Sequence, residues 1–198
     1  TVVNINGINF KYFYPLFCDT DWKEERLPIW CSGITDRDPL PDVEKDDEGK
    51  IVKKEEKYPV KGEKIVGGNE AIDLADDINS TQRARLYVAP LKTFEYDLAM
   101  SGNISIMAEV LEEKWPKDGG EKGVKNQCKQ IKNKNNVYID KEEMREDAKF
   151  IYKHIDCDEM GKGFFSQALL EKIEEKNILV VPEYIKKAII WACGGDCD

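Results

Sequence analysis

The stretch Leu27-Pro-Ile-Trp-Cys-Ser-Gly-Ile-Thr-Asp-Arg-Asp38 constrains the fold more than any other part of the chain. Its apolar run, with Ile29 and Trp30, reads as a central strand over Leu27–Ile34 that is buried on both faces. The run stops at Thr35-Asp36-Arg37-Asp38, and Pro39, which cannot continue a ladder, follows. Asp36 and Asp38 thus fall just past the carboxyl end of a strand, where open α/β sheets collect their ligands. On extended backbone, residues i and i+2 share a face. Two carboxylates so placed repel unless a cation lies between them. Mg²⁺ meets that need, because it takes oxygen ligands and keeps waters that a phosphate can replace. The motif alone does not separate this reading from a solvated turn, so the rest of the chain has to decide.

Upstream, Thr1–Asn6 alternates as a strand does and Gly7 punctuates it. Phe10, Phe13, Tyr14 and Phe17 then recur at helical spacing behind Asn9, a residue suited to the N-cap. With Leu27–Ile34 this makes a strand–helix–strand unit, expected to be parallel and right-handed. Residues 42–64 are mostly Asp, Glu and Lys, with Gly49, Pro59 and Gly62. They are expected as an exposed loop or a small hairpin around Asp47-Glu48-Gly49. Gly68–Ser80 has the apolar spacing of a helix, and Arg85–Pro90 reads as the next strand. A second acidic cluster, Glu95 and Asp97, follows that strand. It either joins Asp36 and Asp38 in a shared metal site or fills the first turn of a Thr93-capped helix for dipole reasons.

The second half reads as helical. Ile104–Trp115 is an amphipathic helix in pattern, and further helices are expected over Lys141–His154, Phe164–Lys176 and Pro182–Cys193. Between them, Pro116–Asn136 holds three glycines and the one basic stretch, including Lys122, Lys125, Lys129 and Lys132. It reads as a solvated loop or as a contact to nucleic-acid phosphates. Asp156-Cys-Asp158 starts like a calcium loop, but its fifth position is Met160 and its twelfth is Gln167, where a bidentate Glu is required, so that motif is rejected.

The chain has 198 residues with a net charge of −9, which argues against a general nucleic-acid coat protein but not against a nuclease, whose acidic metal site contributes such charge. No run of about 18 apolar residues is present, so no membrane partner is expected. The six cysteines show no disulfide framework and read as free thiols of a reducing, cytoplasmic compartment. Thr1 opens inside a strand-like pattern, so the chain is read as a piece of a longer polypeptide.

Four segments in order carry a resemblance: Ile34-Thr-Asp-Arg-Asp-Pro39, Lys92-Thr-Phe-Glu-Tyr-Asp-Leu-Ala99, Gly161-Lys-Gly163 before a helix, and Pro182-Glu-Tyr-Ile-Lys-Lys-Ala188. Together they resemble the C-terminal Toprim region of the overcoming-lysogenization-defect (OLD) family of ATP-dependent endonucleases, over nearly the whole chain. The Asp-x-Asp is common to all Toprim proteins; the Thr-Phe-Glu stretch and the late lysine are more specific to the OLD-like nucleases. The resemblance implies an α/β fold, a Toprim-like small parallel sheet flanked by helices with a C-terminal helical extension. The core would span residues 1–100, interrupted by the charged insertion at about 42–64, and the extension residues 101–198.

The resemblance also implies a DNA endonuclease using Mg²⁺ or Mn²⁺ in a two-metal site. Asp36 and Asp38 match the metal pair. Glu95 matches the acidic residue assigned to a second metal, with Asp97 beside it, and a catalytic part for Glu95 follows. Lys162 matches the late lysine that neutralises the scissile phosphate. Ser32, near the metal strand, is a weaker match. DNA is the implied substrate, with Lys122, Lys125, Lys129 and Lys132 available to its phosphates. ATP would act only through an N-terminal ATPase domain of the same protein, and the family context implies a homo-oligomer. One departure stands out: the glutamate that ends the first Toprim strand has no counterpart here. The alternatives are a catalytically incomplete module that binds DNA or a protein partner, and a Toprim strand-passage or priming enzyme.

Overall fold

The computed structural model of the chain describes residues 2, 10–17, 27, 29–65, 70–117 and 119–195. The strand expected at Thr1–Asn6 and the cap at Asn9 lie outside these residues. The architecture is mixed α/β, and the chain divides into two compact units. One, the sheet unit, draws on residues 1–57, 63–94 and 182–198; the other, the helical unit, on 58–62 and 95–181. The division expected near residue 100 therefore falls between Phe94 and Glu95. The last helix, expected in the extension, belongs with the sheet.

The sheet unit is built on β1 (Cys31–Thr35) and β4 (Ala84–Val88), which pair in parallel with Ser32 opposite Arg85 and Gly33 opposite Leu86. Between them run the antiparallel hairpin β2 (Asp42–Lys45) and β3 (Ile51–Glu55), and helix α2 (Glu70–Asn79). The hairpin expected around Asp47-Glu48-Gly49 forms because the Asp46 carboxylate accepts from the N–H groups of Glu48 and Lys50, at 3.1 and 2.8 Å. Strand alternation then separates the two faces of β1 and β4. On one face Ala84 and Leu86 join Ile78 of α2, with Phe10 of α1 (Phe10–Phe13), and Tyr14 and Phe17 beyond it, packed alongside. The opposite face carries Ser32 and Arg85. The Ser32 hydroxyl donates to the Ala188 carbonyl of α8 (Glu183–Ala192) at 2.7 Å, and the Arg85 guanidinium lies 3.8 Å from the Trp191 ring centroid. Helices thus flank the small parallel sheet on both sides.

β1 departs from the expected strand in two ways. It starts at Cys31 rather than Leu27, and it is not buried on both faces: Ile34 is 40% exposed. Its middle residues, Ser32 and Gly33, have little side chain to bury. Gly33 is required where it stands, since a Cβ there would come within 2.6 Å of the Phe10 ring. On the outer edge of β4 the backbone of Leu86 is bonded by a side chain. The Asn79 carboxamide accepts from the Leu86 N–H at 2.8 Å and donates to its carbonyl at 3.3 Å, so the edge amides there are satisfied.

Helix α3 (Phe94–Leu98), which enters the helical unit at Glu95, passes through a π-turn at Ala99–Asn103 into α4 (Ile104–Lys114). Gly102, at φ 103°, makes the bend available, a conformation that a side chain resists. Buried Asn103 secures it, donating to the carbonyls of Leu98 and Val180 and accepting from the Val180 N–H. The amphipathic helix expected over Ile104–Trp115 is instead buried almost all round. It is the centre against which α5 (Val124–Asn133), α6 (Lys141–Ile155) and α7 (Lys162–Lys176) pack. The basic stretch expected as a loop is largely α5, entered through a tight 3₁₀ turn at Gly120–Lys122. Gly119 and Gly123 approach so closely that a Cβ on Gly123 would lie 2.5 Å from the Gly119 Cα, which makes both glycines necessary.

Candidate functional site

In the sheet unit the loops that follow the two parallel strands are bonded to each other. The N–H groups of Arg37 and Asp38 both donate to the Lys92 carbonyl, at 2.8 and 3.2 Å. The Arg37 side chain donates to the Ala89 carbonyl, and the Phe94 N–H donates to Asp36 Oδ1 at 2.8 Å. Asp36 therefore sits beyond the carboxyl end of β1, its carboxylate held by the backbone N–H of Phe94 within the sheet unit. Asp38 is exposed and left-handed, at φ 49°. The backbone is therefore not extended through this residue, and the i, i+2 rule does not by itself align the two carboxylates. A non-glycine residue in that region is uncommon and marks a turn held by its surroundings, here the bonds to Lys92. Lys92 itself is buried, and its ammonium lies 3.6 Å from Glu56.

The donor chemistry of Asp36 and Asp38 fits one hard cation. A carboxylate has about four acceptor positions, and the bond from Phe94 uses one of them on Asp36. Mg²⁺ is commonly held by one or two carboxylates, with water and substrate phosphate completing its shell. A richer cage is not built. Among the described residues no group of three or more His, Cys, Asp or Glu side chains converges as a metal site.

The other acidic cluster and the late lysine meet in the helical unit. Glu95 and Asp97 both lie in α3, as the helix-first-turn reading anticipates. Asp97 is only 2% exposed, which removes it from the surface where a solvated cation would arrive. Glu95 faces Lys162, whose Nζ lies 3.4 Å from Oε1 and 3.5 Å from Oε2. A second carboxylate, Asp156, lies 3.4 Å from the same ammonium, and the Tyr152 hydroxyl donates to Asp156 Oδ2 at 3.3 Å. The Tyr152 ring lies beside the ammonium, 5.7 Å from Nζ, within reach of a cation–π attraction.

Lys162 is the first residue of α7, not a loop residue ahead of a helix starting at Phe164. Gly161, at φ 72°, turns the chain into it. A cation at a helix amino end opposes the helix dipole, so the two carboxylates are what make the position tolerable. Partial burial pulls the ammonium's pKa down. The attraction of Glu95 and then Asp156, with hydrogen bonds to both, outweighs burial and raises it above the ordinary lysine value. Asp156 and Tyr152 were not singled out in the sequence. Asp156 falls inside the rejected calcium-loop motif, six residues before Lys162.

The basic stretch divides once its partners are known. Lys132 is paired with Glu112, so that ammonium is already neutralised. Its pKa is raised first by the hydrogen bond to Glu112. Lys122 and Lys129 are exposed and Lys125 is half-buried. Among the described residues these three pair with no carboxylate, so they retain the charge that a polyanion would meet. Cys128, Cys157 and Cys193 are free thiols. Comparison with protein-family models, with curated proteins and with solved structures finds no match. Among the described residues no helix is long and apolar enough to cross a membrane.

Proposed function

We propose that this chain is the Toprim-like nuclease part of a larger ATP-dependent enzyme, hydrolysing DNA phosphodiesters with Mg²⁺ or Mn²⁺. The observation that carries the reading is the join between the loops after β1 and β4. It fixes Asp36 and Asp38 at the carboxyl end of a parallel strand pair, the place where such sheets bind ligands. The ion pair of Glu95 and Lys162 supports it, because these two residues carry the more specific part of the resemblance to the OLD family.

A divalent cation on Asp36 and Asp38 would supply an activated water and a counter-charge to the phosphate. Lys162 would add a fixed positive charge for the oxygens on which negative charge builds. Glu95 would orient that lysine and serve as the acidic residue of a second cation. Lys122, Lys125 and Lys129 would meet DNA phosphates, and Lys132 would not.

A second reading, a module that binds DNA or a protein partner without cutting it, is favoured by one observation. Both oxygens of Glu95 are turned to Lys162, so the acid and the lysine satisfy each other. Nicking of supercoiled plasmid in Mn²⁺, run beside DNA binding, separates the two. Under the nuclease reading Asp36→Ala abolishes nicking, and Lys162→Met lowers it by roughly 10²-fold with binding unchanged. DNA binding without nicking by the full-length parent enzyme selects the module. Undiminished nicking by Asp36→Ala removes the metal site from the reaction.

A further inference from the structure

The proposed reaction gives Glu95 two partners, a cation and the Lys162 ammonium, and one carboxylate cannot hold both with both oxygens. We propose that Asp156, fixed by Tyr152, is the positioning residue that holds Lys162 in place for the phosphate while Glu95 turns to the reaction. The inference rests on the nuclease reading and extends it to a residue outside the four segments of the resemblance.

The geometry of the helical unit carries the inference. Asp156 stands at the carboxyl end of α6, where its own N–H closes the helix on the Tyr152 carbonyl. Its two carboxylate oxygens are divided between two partners: Oδ1 faces Lys162 Nζ at 3.4 Å, and Oδ2 accepts from the Tyr152 hydroxyl at 3.3 Å. Tyr152 is 9% exposed, and its ring packs edge-on against Tyr58 and Tyr96, so the hydroxyl is aimed by a rigid aromatic cluster. Lysine is a flexible point charge and needs such a fixed anchor to point anywhere in particular. Glu95 is one anchor, from α3; Asp156 is the other, from α6. Loss of either leaves the ammonium at the amino end of α7, where the dipole repels it.

The test is a double-mutant cycle on plasmid nicking, with lysine accessibility as a second measurement. Asp156→Asn should lower kcat by about tenfold to a hundredfold, the range in which small misplacements act, and leave KM for DNA nearly unchanged. Asp156→Glu should restore part of the loss, and Tyr152→Phe should give a smaller defect of the same kind. In a Lys162→Met background Asp156→Asn should have no further effect, because a positioning residue acts only through the group it holds. Additive losses would overturn the proposal and make Asp156 merely structural. Independently of activity, the rate of Lys162 acetylation, read by mass spectrometry against exposed Lys122 and Lys129, should rise several-fold in Asp156→Asn. An unchanged rate overturns the proposal as well. Absence of nicking by the full-length parent enzyme would overturn the nuclease reading itself, and the acetylation rate would then decide whether Asp156 holds Lys162.

Discussion

In the helical unit a single helix, α4, has seven side chains sealed from solvent, among them Leu111, Met107 and Ile104, whereas in the sheet unit β1 seals only Thr35. The contrast follows from what each segment has to bury. Helix α4 carries Ile104, Ile106, Met107, Val110 and Leu111 around more than one face, and three helices close over them. A helix apolar on most sides becomes the centre of its unit. Strand β1 offers Ser32 and Gly33 at its middle, and its neighbours reach it by close approach instead. Phe10 lies over Gly33, α8 is bonded to Ser32, and Trp30 meets Trp191 edge-on at 4.7 Å. One unit is held by filled volume, the other by fit at a few points.

The largest expected effect lies in the filled unit. Leu111 is fully buried, so Leu111→Ala should cost about 2–5 kcal/mol, the range for a large-to-small change in a packed core. Ile34→Ala, at the exposed position of β1, should cost less than about 1 kcal/mol. Urea unfolding of both variants checks the pair. Equal losses would mean that β1 is covered by something the contrast leaves out.

A smaller effect tests fit. Gly33→Ala adds one methyl group at 2.6 Å from the Phe10 ring and should cost about 1–3 kcal/mol, as overpacking does. Phe10→Leu frees the space, so the double variant should be more stable than the sum of the two single changes implies. Strict additivity would show that the ring yields freely and that close approach contributes nothing.

How much of this was legible in the sequence differs between the units for the same reason. Helices α6, α7 and α8 were readable because local spacing and a proline near the start, Pro182, are short-range signals. Strand β4 and the hairpin around Asp47-Glu48-Gly49 were readable for the same cause. The sequence reading missed α5 because its lysines hid a single buried face, made by Cys128 and Ile131. It started β1 four residues early because an apolar run alone does not say where pairing with β4 begins. At the candidate site, the Asp-x-Asp, Glu95 and Lys162 were visible as motif positions, but the pairing of Glu95 with Lys162 was not. The roles of Tyr152, Asp156 and Lys92 depend on contacts between residues distant in the chain, and no local pattern encodes them.

The smallest expected effect concerns charge, and it separates the units once more. In the helical unit Lys134 caps α5 and lies 2.7 Å from Glu143 and 2.6 Å from Asp147, and Tyr138 donates to the same Asp147 oxygen at 2.9 Å. Burial pulls the Lys134 pKa down, but its hydrogen bonds to Asp147 and Glu143 outweigh that, and the folded value stands above the ordinary one. A lysine whose pKa is raised on folding contributes stability in full below its unfolded pKa, about 10.4. That contribution is lost as pH rises through the folded value. Lys134→Met should therefore lower the urea midpoint at pH 8 by an amount equivalent to about 1 kcal/mol or less, since the pair is only partly buried. The gap between the variant and the unaltered chain should narrow above about pH 10.4, where the unaltered chain begins to lose what the variant never had. The matching pair in the sheet unit, Lys53 with Glu44 at 3.7 Å, is more than half exposed on both sides. Lys53→Met should leave the midpoint unchanged at either pH, because an exposed pair is screened and costs side-chain freedom to form. A Lys134→Met gap that stays constant with pH would show that the lysine acts there through its packed methylenes rather than its charge, and the electrostatic half of the contrast between the units would fall with it.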